Sequence, residues 1–224
     1  MKTATLSVMR QQVREAADMV GSDFVTTTEI DALLNTYIAE VWDLIVGAYG
    51  TQKASSFTFN TVAGTKTYAL PAESASGGDF YKLLGIDVTL DVDNKITAEP
   101  FNFHNRNRYC YDGWDQGRPI AYRLVGDSIW FDPTPDAIYP VVVWYIPCAA
   151  KLVTANQTFD GINGWERYPI VCAAIRLLDK EGSDCSVLLA EKGSLSRRIE
   201  AMAQNRDAGE PEQVVDVRGR RWGY

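Results

Sequence analysis

The chain contains one histidine, His104, so every chemistry that requires an imidazole depends on this residue. A site built on two imidazoles is excluded, and a serine or cysteine nucleophile would have only His104 as an imidazole base. Neither a GxSxG turn nor a GxxxxGK(S/T) or GxGxxG phosphate-binding loop occurs. Residues 101–106 predict a loop or a short helical turn, where a polar packing role is expected of His104. The types and spacing of these residues therefore predict no catalytic site.

Four cysteines are the next candidates for chemistry, and their spacing is not that of a metal site. No two of them form a CxxC pair, and none lies within three residues of His104. Two fall inside predicted helices, where cysteine behaves as a small apolar residue. We therefore predict structural thiols, with no metal or other cofactor, at Cys110, Cys148, Cys172 and Cys185.

The acidic and aromatic residues supply weaker candidate sites. The run Asp91-Val92-Asp93-Asn94 lacks the glycine and the distal glutamate of an EF-hand, and it fits a solvated hairpin turn better than a calcium loop. Two carboxylates facing each other across a cleft would suit glycoside hydrolysis, but the sequence singles out no such pair. Aromatic residues concentrate in the middle of the chain, where core packing explains most of them and a sugar-stacking platform stays open.

Helical spacing of apolar residues places the first elements at the N-terminus. Residues 6–20 predict one helix, which ends at Gly21-Ser22-Asp23. Thr26 followed by Glu29 is a capping-box pattern, and it predicts the start of a second helix that runs to about Gly47. The two helices are predicted to form a hairpin.

Helical spacing returns after residue 160. One helix is predicted from about Trp165 to Glu181, and another over about 184–204. Each helical hairpin has a broad apolar stripe that it cannot bury alone. Residues 1–50 and 160–204 are therefore predicted to pack as a four-helix bundle.

Between the two helical parts the apolar period changes to two, which is typical of β-strands. Turns are predicted at residues 63–65 and at Gly126-Asp127, so that the flanking segments would form hairpins. The predicted strands lie at 57–59, 68–70, 86–92, 121–125, 128–131 and 139–146. The sequence thus predicts an α+β fold in which an antiparallel β module, 51–159 with its linkers, is inserted into the helical bundle.

The N-terminal residues and the apolar runs bear on the compartment. Charged residues interrupt the first twenty positions, so they do not form a signal peptide. The longest strongly apolar run, 141–146, has the length of a strand rather than of a membrane span. A soluble protein that is made in a cytoplasm and has no membrane partner is expected.

Residues 205–224 lack periodicity and are predicted to form an extended C-terminal arm. The formal net charge of the chain is −7, and because the last seven residues contribute +3, residues 1–217 carry −10. Arginines beside aromatic residues are typical of decisive interface positions, and a run of valines can add a strand to a neighbouring sheet. We predict that the arm binds a protein partner rather than DNA, through Val214, Val215, Val217, Arg218, Arg220, Arg221, Trp222 and Tyr224.

A series of short segments gives the chain a family resemblance. They follow one another over nearly the full length, at 59–65, 67–71, 79–85, 118–119, 121–124, 133–135, 145–147, 163–166 and 206–211. In that order, and together with the opening pair of helices, they resemble the head-to-tail adaptor, or connector, proteins of tailed bacteriophages. Residues 74–78 look like an extra stretch before Asp79 when compared with the family. The contacts that family members make through this loop are therefore not assigned to this chain.

The resemblance implies a structural virion protein with no catalytic residues. It implies assembly as a ring, commonly of twelve copies, that joins the portal to the tail and gives passage to DNA without specific binding. The C-terminal arm would reach the portal protein, and the other face would receive tail or nozzle proteins. The implied location is the neck of the virion, after assembly in the cytoplasm of the bacterial host.

The charge pattern fits such a ring. Rings use heterologous interfaces, so each subunit needs two different adhesive faces. An acidic lumen repels phosphate and lets a DNA duplex slide. Two other hypotheses stay open: a carbohydrate-binding or hydrolytic module on the aromatic β insert, testable by Trp114→Ala, and a cytoplasmic protein-interaction domain unrelated to viruses.

Overall fold

The fold is mixed α+β, with four helices and several short sheets among the residues described. The computed structural model describes residues 4–51, 53–72, 78–91, 94–106, 116–159 and 162–204. The helices are α1 (Leu6–Ala16), α2 (Thr27–Ala48), α3 (Arg167–Glu181) and α4 (Ser186–Gln204). The strands are β1 (Ala4–Thr5), β2 (Ser55–Asn60), β3 (Thr67–Ala69), β4 (Phe80–Asp91), β5 (Asn94–Thr97), β6 (Glu99–Pro100), β7 (Gln116–Gly117), β8 (Ala121–Val125), β9 (Ser128–Asp132), β10 (Thr134–Pro135), β11 (Pro140–Pro147) and β12 (Thr158–Phe159).

The described residues divide into two compact units. The helical unit contains residues 4–49 and 151–204, and therefore all four helices. The β unit contains residues between Gly50 and Ala150, and therefore strands β2 to β11.

Helix α1 is shorter than the sequence predicts. Its expected end at Val20 is wrong, because the backbone turns left-handed at Asp18 (φ 54°) and Gly21 (φ 76°). The turn still buries Met19, but it leaves Val20 72% exposed. Apolar spacing alone does not reveal this break, since the buried residues continue past the last helical hydrogen bonds.

Thr26 caps helix α2 as predicted, although the capping box is only half formed. The Thr26 Oγ1 atom accepts a hydrogen bond from the backbone N–H of Glu29 at 3.2 Å. The Glu29 carboxylate instead pairs with Lys180 of α3, at 2.7 Å. The side chain that was expected to cap its own helix therefore links α2 to α3.

Helix α3 is the most buried element of the helical unit and packs against α1, α2 and α4. It ends at Gly182, whose φ of 84° is the left-handed conformation that favours glycine. Helix α4 buries only its C-terminal half, through Leu195, Ile199 and Ala203. Val187, expected on the apolar face, is 78% exposed.

The β unit contains two four-stranded sheets, ordered β2-β11-β4-β5 and β3-β9-β8-β6. The pairs are antiparallel except for the short contacts of β6 with β8 and of β7 with β10. The predicted hairpin between β8 and β9 is confirmed, with Gly126 at a φ of 58° in its turn.

Strands β2 and β3 do not form the predicted hairpin. Strand β2 pairs with β11 and β3 pairs with β9, so the chain crosses from one sheet to the other between them. The Tyr68 hydroxyl accepts from the N–H of Val62 (2.8 Å) and donates to the carbonyl of Thr65 (2.9 Å), which holds the crossing segment in place. Residues from both sheets form one apolar core: Ile86, Val88, Ile129, Phe131, Val141 and Val143.

Candidate functional site

The residues of the predicted C-terminal arm lie outside the described part of the chain. These residues are Val214, Val215, Val217, Arg218, Arg220, Arg221, Trp222 and Tyr224. Their role stays a prediction. Cys110 and Trp114 of the β module also lie outside the described residues. The sites that the structure does describe lie in the two compact units.

His104 and the described cysteines do not form a common site. His104 lies on an exposed 3₁₀ turn, where its backbone N–H donates to Asn102 Oδ1 at 3.1 Å. Cys148 is exposed and Cys185 lies between α3 and α4. Among the described cysteines only Cys172 is therefore helical, whereas Cys172 and Cys185 were both expected in helices. Within the described ranges, no group of three or more His, Cys, Asp or Glu side chains is arranged to hold a metal ion.

One polar cluster joins three helices of the helical unit. The Tyr168 hydroxyl of α3 donates to Glu40 Oε1 of α2 at 2.6 Å, and Lys192 Nζ of α4 lies 3.0 Å from the same oxygen. The Lys192 ammonium also lies 5.6 Å from the centre of the Tyr168 ring and 5.8 Å from that of Tyr37. Sequence spacing did not reveal this cluster, because Glu40 and Tyr168 are 128 residues apart in the chain.

The pKa values in this cluster favour a structural role. Burial raises the pKa of the Cys172 thiol to about 11, so it is protonated at neutral pH and is a weak nucleophile. Burial also raises the pKa of Tyr168, and its hydrogen bond to Glu40 adds to this effect. For Glu40, burial acts to raise the pKa, but the hydrogen bonds from Tyr168 and Lys192 outweigh it and hold the pKa below its ordinary value.

Glu40→Gln should reduce the acid sensitivity of the helical unit. Because the pKa of Glu40 is lowered on folding, its charge stabilises the fold above the ordinary pKa and loses that effect as the pH falls. We expect the variant to lose about 1 kcal/mol of unfolding free energy at pH 7, since the pair is partly solvent-screened. Urea unfolding at pH 7 and below pH 4 tests this, and a difference that does not shrink on acidification contradicts it.

Asp132 is the most unusual polar residue of the β unit. Its side chain is 2% exposed, it lines a cavity of about 440 Å³, and its Oδ2 atom has no hydrogen-bond partner in the part of the chain that the structure describes. Its Oδ1 atom lies 3.9 Å from Lys66 Nζ. Burial raises the pKa of Asp132, and Lys66 offsets only part of the effect. Because successive side chains of a strand lie on opposite faces, the buried position of Phe131 predicts an exposed position for residue 132. Sequence spacing therefore did not predict that Asp132 is buried.

Asp132→Asn should stabilise the β unit at neutral pH. The asparagine removes a buried charge that is poorly paired, and we expect a gain of about 1 kcal/mol in the free energy of unfolding. Because the pKa of Asp132 is raised on folding, wild-type stability falls as the pH rises through that pKa. The gain should therefore shrink toward pH 4, where the carboxyl is protonated. Asp127→Asn, on the exposed β8–β9 turn, is the matched control; a stability loss in Asp132→Asn at pH 7 contradicts the prediction.

The aromatic residues of the β unit mostly pack in the core. Tyr145 is fully buried, and its ring stacks on Phe80 with centroids 6.0 Å apart. Trp144 is partly exposed, but its Nε1 donates to Asp87 Oδ2 at 2.8 Å. These contacts fit the core-packing interpretation. They do not favour the carbohydrate alternative.

Both units expose large apolar side chains. In the helical unit these are Val8, Val20, Phe24, Val153, Val187, Leu189 and Met202. In the β unit they are Val62, Tyr81, Phe103, Ile120, Ile138 and Trp144. Exposed apolar area of this kind is a common component of protein interfaces. None of the helices in the described ranges combines the length and apolarity that a membrane crossing requires.

Comparison with known proteins assigns the chain to a class of structural phage proteins. The family model described as "SU10 adaptor protein" matches residues 4–215, which is nearly the whole chain. The chain therefore belongs to this family of phage head-to-tail adaptors, and the resemblance found in the sequence is confirmed. A search of the curated proteins finds no match.

Proposed function

We propose that the protein is a ring-forming head-to-tail adaptor of the virion neck, which joins the portal to the tail and provides a conduit for DNA. The family match over residues 4–215 is the observation that carries this proposal. The role is structural and non-enzymatic. Assembly takes place in the cytoplasm of the bacterial host.

The ring contains twelve copies in this proposal, and the four helices form a bundle that serves as the body of each subunit. Helix α3, in contact with the other three helices, supports the bundle arrangement. The β module, 51–159, is inserted into this body and receives tail or nozzle proteins. Heterologous ring contacts need two different faces, and the exposed apolar residues of the helical unit supply candidates for them.

Charge supports the passage of DNA. Residues 1–217 carry a net charge of −10, since the chain has −7 and its last seven residues have +3. A wall of this sign repels the phosphate backbone, so a duplex slides past without specific binding. The cationic arm, in contrast, binds the portal protein through Val214, Val215, Val217, Arg218, Arg220, Arg221, Trp222 and Tyr224.

Val187→Glu should weaken contacts between subunits without weakening the subunit itself. Val187 is highly exposed on the first turn of α4, where a carboxylate is favourable because of the helix dipole. If the side chain is buried between copies, the charge should weaken self-association at least about tenfold. Sedimentation velocity of the chain mixed with portal rings measures the association between copies. Ser194→Glu, also exposed on α4, is the control, and equal association of the two variants contradicts the prediction.

Native mass spectrometry of the chain with purified portal rings tests the proposed assembly. The adaptor role predicts complexes in which several copies of the chain bind one portal ring, with a single dominant stoichiometry. Twelve copies would support the ring as proposed. The absence of any complex at micromolar concentrations would contradict the adaptor role.

A further inference from the structure

The cavity beside Asp132 has the chemical character of a binding site. Its walls include the apolar side chains of Ile96, Phe101 and Ile120, together with the carboxylates of Glu99 and Asp132. All of these residues belong to the β unit. A volume of about 440 Å³ falls within the usual range of ligand pockets.

Asp132 carries the argument because its burial is costly and poorly compensated. Its side chain is 2% exposed, and its Oδ2 atom accepts no hydrogen bond from the described residues. Its Oδ1 atom lies 3.9 Å from Lys66 Nζ. The same Nζ lies over the Trp130 ring, 5.8 Å from its centre. No described residue therefore donates a hydrogen bond to Oδ2. A buried carboxylate without a donor among the described residues is a candidate functional group.

We propose that this cavity binds the guanidinium group of an arginine side chain from a protein partner, with the negative charge of Asp132 as its main attraction. Ile96, Phe101 and Ile120 suit the aliphatic part of the side chain, and Glu99 adds a second negative charge. A guanidinium is less strongly hydrated than an ammonium, so its transfer into a partly buried site costs less. It also presents parallel N–H donors to a carboxylate.

Two described arginines near the cavity, Arg123 and Arg106, are held by other contacts. Arg123 donates to the backbone carbonyl of Phe101 at 3.0 Å, and its guanidinium lies 5.7 Å from the centre of the Phe103 ring. Arg106 lies on the same ring at 5.0 Å. Neither contact uses the Asp132 carboxylate. The Lys66 ammonium reaches only Oδ1.

The arginine can come from two sources, which share the same chemistry. One source is a different protein. The other is a second copy of this chain, whose last seven residues contain Arg218, Arg220 and Arg221. The site itself does not depend on the proposed adaptor role, because its test needs neither portal nor tail protein.

Titration of the ¹⁵N-labelled full chain with N-acetyl-L-arginine methylamide, followed by NMR, tests the site. We expect saturable shifts at the amides of residues 96–105, 120–121 and 132, and binding at least about tenfold weaker in Asp132→Asn. The citrulline analogue has nearly the same shape without the charge, and it should cause no saturable shift. Asp127→Asn should bind the arginine probe like the wild type.

The same experiment distinguishes the sources and can overturn the proposal. A peptide of residues 212–224 that causes the same shifts, lost in Asp132→Asn, identifies a second copy as the source; arginine binding without peptide binding identifies another protein. If Asp132→Asn does not fold, Glu99→Gln at the cavity wall is the second variant and should bind more weakly. Absence of saturable shifts, equal binding of citrulline, or unchanged affinity in the variants overturns the proposal.

Discussion

Deletion of residues 206–224 should abolish binding to the portal ring while the two compact units stay folded. The deleted segment contains three arginines beside Trp222 and Tyr224, and these residue types dominate binding energy at protein interfaces. We expect the affinity for purified portal rings to fall at least about 100-fold, equivalent to roughly 2.7 kcal/mol. Surface plasmon resonance on immobilised portal rings gives the measurement.

Two substitution variants separate the contributions within the arm. Trp222→Ala with Tyr224→Ala removes the aromatic groups and keeps the charge, whereas Arg218→Ala with Arg220→Ala and Arg221→Ala removes the charge and keeps the aromatic groups. Both should bind the portal more weakly, and only the arginine variant should reduce the salt dependence. Circular dichroism checks that the truncated chain stays folded. Undiminished portal binding by the truncated chain would refute the role of the arm.

Phe131→Ala should strongly destabilise the β unit. Phe131 is fully buried, and its ring meets Tyr68 edge-on at a centroid distance of 5.6 Å and Phe59 at 6.4 Å. These contacts join residues of both four-stranded sheets. Truncation of a buried phenylalanine to alanine leaves a cavity and costs about 3–5 kcal/mol. Urea unfolding followed by tryptophan fluorescence is the measurement, since Trp130 and Trp144 lie in the same unit.

Ile138→Ala is the matched control for this prediction. Ile138 lies in the same unit but is 71% exposed, so its truncation should change the free energy of unfolding by less than about 0.5 kcal/mol. Similar effects of the two substitutions would contradict the account of the core. The Ile138→Ala variant also tests whether Ile138 lies at an interface between subunits. If this variant loses assembly without losing stability, Ile138 lies at such an interface.

The sequence predicts elements well where a local pattern determines them. The Thr26 cap, the end of α3 at Glu181 and the turn at Gly126 all follow from short-range signals. The predicted strands at 86–92, 128–131 and 139–146 correspond to β4, β9 and β11, which contribute Ile86, Phe131 and other apolar residues to the core. Each of these features depends on neighbours a few residues away.

The errors arise where distant residues decide the outcome. Strands β2 and β3 look like a hairpin, but each finds a better partner far along the chain, in β11 and β9. Val187 continues an apolar period, yet it is 78% exposed on the first turn of α4. The polar cluster of Glu40, Tyr168 and Lys192 and the burial of Asp132 depend on packing that sequence spacing does not encode.

Cryo-electron microscopy of the full chain bound to its portal ring tests the adaptor role and the role of the arm together. We expect a ring of twelve copies on the portal, with an open axial channel and with residues 206–224 in contact with the portal surface. A chain that stays monomeric beside the portal would contradict the adaptor role. A ring that contacts the portal only through the β unit would contradict the role of the arm.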